Sequence, residues 1–221
     1  MRYLGLALYA EGPTDYYFLP PVLVRLCEEL CLRHAVETVE IGSVLALDDS
    51  ARTRHLSREE RIESAATEAR NAWNIVFVHT DGEGNPDRAF AERVAPALER
   101  LKALGGKTGM GVAVVPVRET EAWAIIDGDA LRQVLGTPLT NEALGLPLTA
   151  REAEKAKDPK ALLDQAFKAT LPTGRRKSTG TSPYLSAFGE QVALDKLRGT
   201  TSFANLEADL TNALRHLGIL N

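Results

Sequence analysis

Carboxylates recur in this chain at one kind of place, directly after short apolar runs. Leu4 to Ala10 ends on Glu11, Asn74 to His79 ends on a loop carrying Asp81 and Glu83, and Gly111 to Val117 runs into Glu119 and Glu121. Acids crowded on neighbouring loops repel one another unless a cation lies among them. Oxygen-only ligand sets suit hard divalent ions such as Mg2+, Mn2+ or Ca2+. With a phosphate ester as substrate, one or two such ions activate water and stabilise the leaving oxygen of an in-line displacement. Each acid taken alone has a simpler reading. Asp81 before Gly82 suits a turn, Glu119 and Glu121 in a first helical turn suit the helix dipole, and Glu11 suits a cap. The coincidence at three strand ends is what points to a site.

Acids so far apart in sequence meet only if the elements beneath them are parallel. The chain predicts an α/β fold of that kind: a Rossmann-like sheet of about four parallel strands flanked by helices. Arg2 to Ala10 is nearly continuously apolar and bounded by Gly12-Pro13, as a buried strand should be. Thr14 to His34 has apolar residues at helical spacing, but Pro20 and Pro21 predict a short first turn restarting at Pro21, or a kink. Ala35 to Leu47 is rich in Val, Ile and Thr and predicts a second strand. Ser57 and Glu60 stand at capping-box spacing and open a helix running to Ala72. Asn74 to His79 is the best central strand, Pro86 to Leu104 a helix stopped by Gly105-Gly106, and Gly111 to Val117 a strand with Pro116 near its end. Parallel strands in one sheet present their carboxyl ends on one rim, where open α/β sheets bind ligands.

The character changes after Leu135. Asp158 to Ala169, with Pro159 at a good first-turn position, Tyr184 to Leu197 and Phe203 to Leu217 predict helices. The expected division is a core over residues 1–136 and a helical extension over 137–221 packed on it.

Of the other conspicuous side chains, His79 orients the site, contacts phosphate or packs at its strand end, the last being the favoured reading. Trp123 reads as core packing behind Glu121. Arg118 faces two choices, pairing with Glu119 or with a phosphate. Arg175, Arg176 and Lys177 form a basic run in a Gly/Ser/Thr loop, either solvated or contacting a nucleic-acid backbone, and Lys160 is a further candidate for phosphate. Cys27 and Cys31, four apart with no His or Cys pair nearby, read as buried apolar residues in a reducing compartment and not as a zinc set.

At 221 residues with a formal net charge of −4, the chain has no global field to attract nucleic acid or an acidic membrane. That disfavours a nucleic-acid coat but leaves room for an enzyme whose metal ions meet the phosphates. No apolar run approaches the ~20 residues of a membrane helix, and the amino terminus is too soon interrupted by Glu11 for a signal peptide. A cytoplasmic location and no membrane partner are expected.

Three of these stretches resemble a known family. EGPTDYYFL after a first strand resembles the opening motif of the Toprim fold of primases, topoisomerases and overcoming-lysogenization-defect nucleases. VFVHTDGEG resembles its second motif, an Asp-x-Asp at a later strand end. VPVRETEAWAIID resembles the Glu-x-Glu-Ala-Trp signature of RloB-like Toprim families encoded near ATPases in bacterial defence loci, and DPKALL with the later helices resembles that group's carboxyl-terminal part. The resemblance implies a Toprim-like core with a carboxyl-terminal helical subdomain and a Mg2+- or Mn2+-dependent endonuclease acting on DNA or RNA in anti-phage defence. Glu11, Asp81 and Glu121 would be catalytic, with Glu11 as the acid/base group. The metal ligands would be Glu11, Asp81, Glu83, Glu119 and Glu121, with Asp15 and His79 in support. Arg118, Lys160, Arg175, Arg176 and Lys177 would meet phosphate. Glu83 stands where the pattern has Asp. Partners would be nucleic acid and an ATPase, and the chain would be able to form a homo-oligomer.

Two other classes compete. One is a non-catalytic Toprim-like subunit that docks on the ATPase. The other is a receiver-like or phosphate-binding α/β protein built on Asp81, weakened by the lack of a GxxxxGK[ST] loop.

Overall fold

The structure, a computed structural model, describes residues 1–48, 51–147, 149–171 and 181–221. Four parallel strands, β1 (Arg2–Tyr9), β2 (Val39–Ala46), β3 (Ile75–His79) and β4 (Met110–Val114), form one sheet in the order β2-β1-β3-β4. β1 and β3 are central, and every residue of β3 is buried, as its uninterrupted apolar run requires. β2 is shorter than the Ala35–Leu47 expected, and β4 ends two residues before Pro116, whose nitrogen cannot join a ladder. All four carboxyl ends lie on one edge, so the α/β class and the common rim both hold.

Helix α1 (Asp15–His34) contains Pro20 and Pro21 without restarting. The two missing N–H groups cost hydrogen bonds to Tyr16 and Tyr17. Complete burial of Leu19, Val22 and Leu23, with Phe18 all but buried, outweighs that loss at ~1.5–3 kcal/mol per side chain. Helix α2 (Arg58–Glu68) opens with the expected capping box between Ser57 and Glu60.

The helix expected over Pro86–Leu104 is not uniform. It consists of α3 (Pro86–Ala89), a π-turn over Phe90–Val94, and α4 (Ala95–Gly105). Pro96 is the physical reason: its ring has no N–H for the Glu92 carbonyl and would crowd it. The helix widens just before, and the Ala95 N–H reaches back to the Phe90 carbonyl.

Beyond β4 come α5 (Glu121–Ala124), α6 (Gly128–Leu135), α7 (Asn141–Leu144), α8 (Ala150–Lys155), α9 (Pro159–Thr170), α10 (Leu185–Gln191), α11 (Leu194–Leu197) and α12 (Thr201–His216). These helices bury Leu163, Phe188, Phe203 and Leu214 in one apolar cluster with Leu4, Leu8, Phe77 and Val114 of the sheet. A second cluster on the sheet's other face includes Tyr9, Val78, Ile62 and Leu101, under α2 and α4. Cys27 and Cys31 are buried and free. Among the described residues no helix is long and apolar enough to cross a membrane.

Candidate functional site

Glu11 leaves the sheet just past β1 and folds over the end of β3. Its Oε2 accepts hydrogen bonds from Thr80 Oγ1 (2.6 Å) and the Asp81 N–H (3.1 Å), while Oε1 faces the Arg93 guanidinium at 3.5 Å. Burial acts to raise the carboxyl's pKa. The bonds from Thr80 and Asp81, then the charges of Arg58 and Arg93, outweigh it and hold Glu11 below the usual range. Glu11 is therefore an anion at neutral pH, a base or a ligand and not a proton donor.

His79, wholly buried at the end of β3, joins the three loops. Its Nδ1 accepts the Glu11 N–H (3.4 Å) and lies 3.5 Å from Asp15 Oδ2, while Nε2 lies 3.0 Å from Thr120 Oγ1. With Nδ1 accepting, this network puts the ring proton on Nε2, facing Thr120. His79 packs and orients at once, and its burial keeps it from meeting a phosphate. Asp15, also buried, closes the first turn by accepting the Gly12 N–H at 3.0 Å.

The loop after β3 is bonded along the segment after β4. The N–H groups of Gly82, Glu83 and Gly84 reach the carbonyls of Pro116 (3.0 Å), Arg118 (3.3 Å) and Val117 (2.8 Å). A Cβ on Gly82 would stand 2.3 Å from the Pro116 oxygen, so only glycine permits the approach. Glu83 takes a left-handed backbone, φ 50°, an uncommon state for a residue with a side chain.

Two carboxylate oxygens on these adjoining loops, Asp81 Oδ1 and Glu119 Oε2, are buried without a hydrogen-bond partner. Asp81 Oδ1 comes within 3.4 Å of His79 Nε2, but the contact lacks hydrogen-bond geometry and Thr120 has the better claim on that proton. Glu121, at the start of α5, is pushed up to about 7, chiefly by burial and further by the nearby charges of Asp15 and Glu119, against the opposing pulls of its own backbone N–H and, more weakly, of Lys160. The rim is thus short of positive charge.

The predicted acids fall into two sets. Glu11 and Glu83 share Arg93, whose NH2 lies 3.0 Å from Glu83 Oε1. Asp15, Glu119 and Glu121 are electrostatic neighbours with Lys160. Among the described residues no three His, Cys, Asp or Glu side chains are gathered closely enough to cage a metal ion as they stand. The donor chemistry nevertheless fits Mg2+ or Mn2+: oxygens only, two of them buried and unpartnered, in a set that repels itself. A hollow of about 200 Å³ beside the rim is lined by Asp81, Glu83, Arg88 and Arg93. Another hollow, of about 830 Å³, lies between the end of α1 and the start of β2, and no rim acid lines it.

Of the predicted cations, Arg118 packs its guanidinium against Gly84 and makes no ion pair with Glu119. Lys160 stands exposed in the first turn of α9. Arg175, Arg176 and Lys177 lie outside the described residues. Trp123 is core, its Nε1–H donating to Ser202 Oγ at 3.1 Å.

Four functional residues escape a sequence reading: Thr80, Thr120, Arg93 and Arg58. Arg58 donates to the His79 carbonyl (2.7 Å) and the Arg93 carbonyl (3.3 Å), with its guanidinium over the Tyr9 ring at 5.3 Å. It pins the π-turn to the end of β3. The one legible signal was Pro96, which marks an irregular turn around Arg93.

Comparison with protein-family models, with curated proteins and with solved structures gave no match.

Proposed function

We propose that this protein is a divalent-metal-dependent phosphodiesterase that cuts DNA or RNA, an effector in bacterial anti-phage defence. The observation that carries the reading is the pair of buried, unpartnered carboxylate oxygens, Asp81 Oδ1 and Glu119 Oε2, on hydrogen-bonded neighbouring loops. Leaving such atoms unsatisfied costs ~1–3 kcal/mol each or more, a cost a cation removes. Asp81 and Glu119 would hold Mg2+ or Mn2+, with Glu11, Glu83 and Glu121 around them. The bound ion would supply an activated water and charge stabilisation at phosphorus. Glu11, held ionised, accepts a proton. Arg118 and Lys160, with no carboxylate in an ion pair with them among the described residues, hold the phosphate. The assignment to defence rests on the resemblance of VPVRETEAWAIID alone.

One observation favours a second reading, a non-catalytic Toprim-like subunit docking on an ATPase: Arg93 already neutralises Glu11 and Glu83. Incubating the protein with plasmid DNA and with RNA in Mn2+ separates the two. The phosphodiesterase cleaves one of them, EDTA stops it, and Glu11→Gln and Asp81→Asn each lower the rate by about 10²-fold or more. No cleavage of either by the wild type, alone or with an ATPase partner should one be found, would favour the docking subunit.

A further inference from the structure

Arg93 already serves as counter-ion to two of the rim carboxylates. Its NH2 lies 3.0 Å from Glu83 Oε1 and its NH1 3.5 Å from Glu11 Oε1, so one guanidinium bridges the strand-end loops of β1 and β3. Its backbone sits in the π-turn, a form of helix that collects at functional sites. Arg58 fixes that turn through the Arg93 carbonyl, while the Arg93 side chain is one-third exposed and lines the hollow beside Asp81. The backbone is anchored by Arg58, and among the described residues the side chain is held by its two carboxylates alone.

We infer that Arg93 is a built-in counter-ion that locks the rim: its guanidinium holds Glu11 and Glu83 in the cation-free protein and must leave them before they can join a divalent ion. This rests on the metal site proposed above and adds its regulation. A guanidinium and a dication cannot share the same two carboxylates without repulsion, so the one weakens the other by the linkage that couples any two ligands. A buried cation with no exit would block the site for good. A one-third-exposed arginine on a pinned turn blocks it reversibly.

Arg88 supplies the control. It lines the same hollow and carries the same charge, but pairs with Glu92 at 2.8 Å instead of with Glu11 or Glu83. Mn2+ binding to wild type, Arg93→Ala, Arg93→Gln and Arg88→Ala is measured by isothermal titration calorimetry, with a thermal melt of each to confirm folding. Arg93→Gln keeps the side-chain length should the alanine variant unfold. Both Arg93 variants are expected to bind Mn2+ about ten-fold more tightly than wild type, and Arg88→Ala to stay within about three-fold. Unchanged or weaker binding by the Arg93 variants would overturn the lock while leaving the metal site standing. Equal tightening by Arg88→Ala would overturn it too, in favour of a general charge effect. If no form binds Mn2+, the lock and the metal site fall together.

Discussion

Glu121 is the residue at which burial and like charge act in the same direction. Its carboxyl titrates near 4.5 when unperturbed and at about 7 in the fold. Between those values the folded chain keeps a proton that the unfolded chain has released. Ionising Glu121 therefore subtracts from stability as pH rises through that window, and the full penalty stands above pH 7. Metal-free Glu121→Gln is accordingly expected to exceed wild type by about 1–3 kcal/mol at pH 8, with the difference all but gone near pH 4.5. Urea denaturation at the two pH values measures it, and a variant no more stable at pH 8 would contradict the crowding of Asp15, Glu119 and Glu121. At this scale the sequence was half legible. Glu11, Asp81, Glu119 and Glu121 could be picked out because each follows an apolar run. Arg58 and Arg93 could not, because an arginine on a helix reads as solvated until the fold lays it across a strand end. Nor does anything local foretell the left-handed backbone of Glu83; the packing of His79 at its strand end was legible, but not the three loops it joins.

At the scale of elements, the site depends on how closely the loops after β3 and β4 run together. Gly82 is the gauge of that approach, since its missing side chain is what lets the Pro116 and Val117 carbonyls come near. Gly82→Ala is expected to destabilise the fold by about 1–3 kcal/mol, the range for overpacking a close contact, and to reduce Mn2+-dependent cleavage by moving Asp81 away from Glu119. Thermal denaturation and the cleavage assay check the two halves, and a variant that melts and cleaves like wild type would contradict the shared-loop geometry. Strands β1 and β3 were readable almost residue for residue, because their short length, their flanking turn residues and, in β3, the β-branched side chains select a buried strand over a buried helix segment. The boundaries that moved have local causes. β4 stops short of Pro116, and the helix before it carries a π-turn ahead of Pro96. Helix α1 runs through Pro20 and Pro21 because burial of its apolar face exceeds two lost hydrogen bonds, a balance that depends on the neighbouring helix α10 and is invisible in the segment itself.

For the whole molecule, the charges and the core divide the labour. The carboxyl-terminal helices were legible as helices, yet not as the second wall of the apolar cluster that backs the sheet, which pattern alone does not place. With a formal net charge of −4 the chain has no overall attraction for a polyanion, so on the proposed reading a nucleic acid would be held by local cations: Arg118, Lys160 and an ion at the rim. The account stands on that ion. Crystals soaked in Mn2+ and measured at a wavelength where manganese scatters anomalously test it most directly. The account predicts an anomalous peak in contact with Asp81 and Glu119, with Arg93 turned away from Glu11 and Glu83. Full soaking with no peak at the rim, and Arg93 still paired with both glutamates, would contradict it.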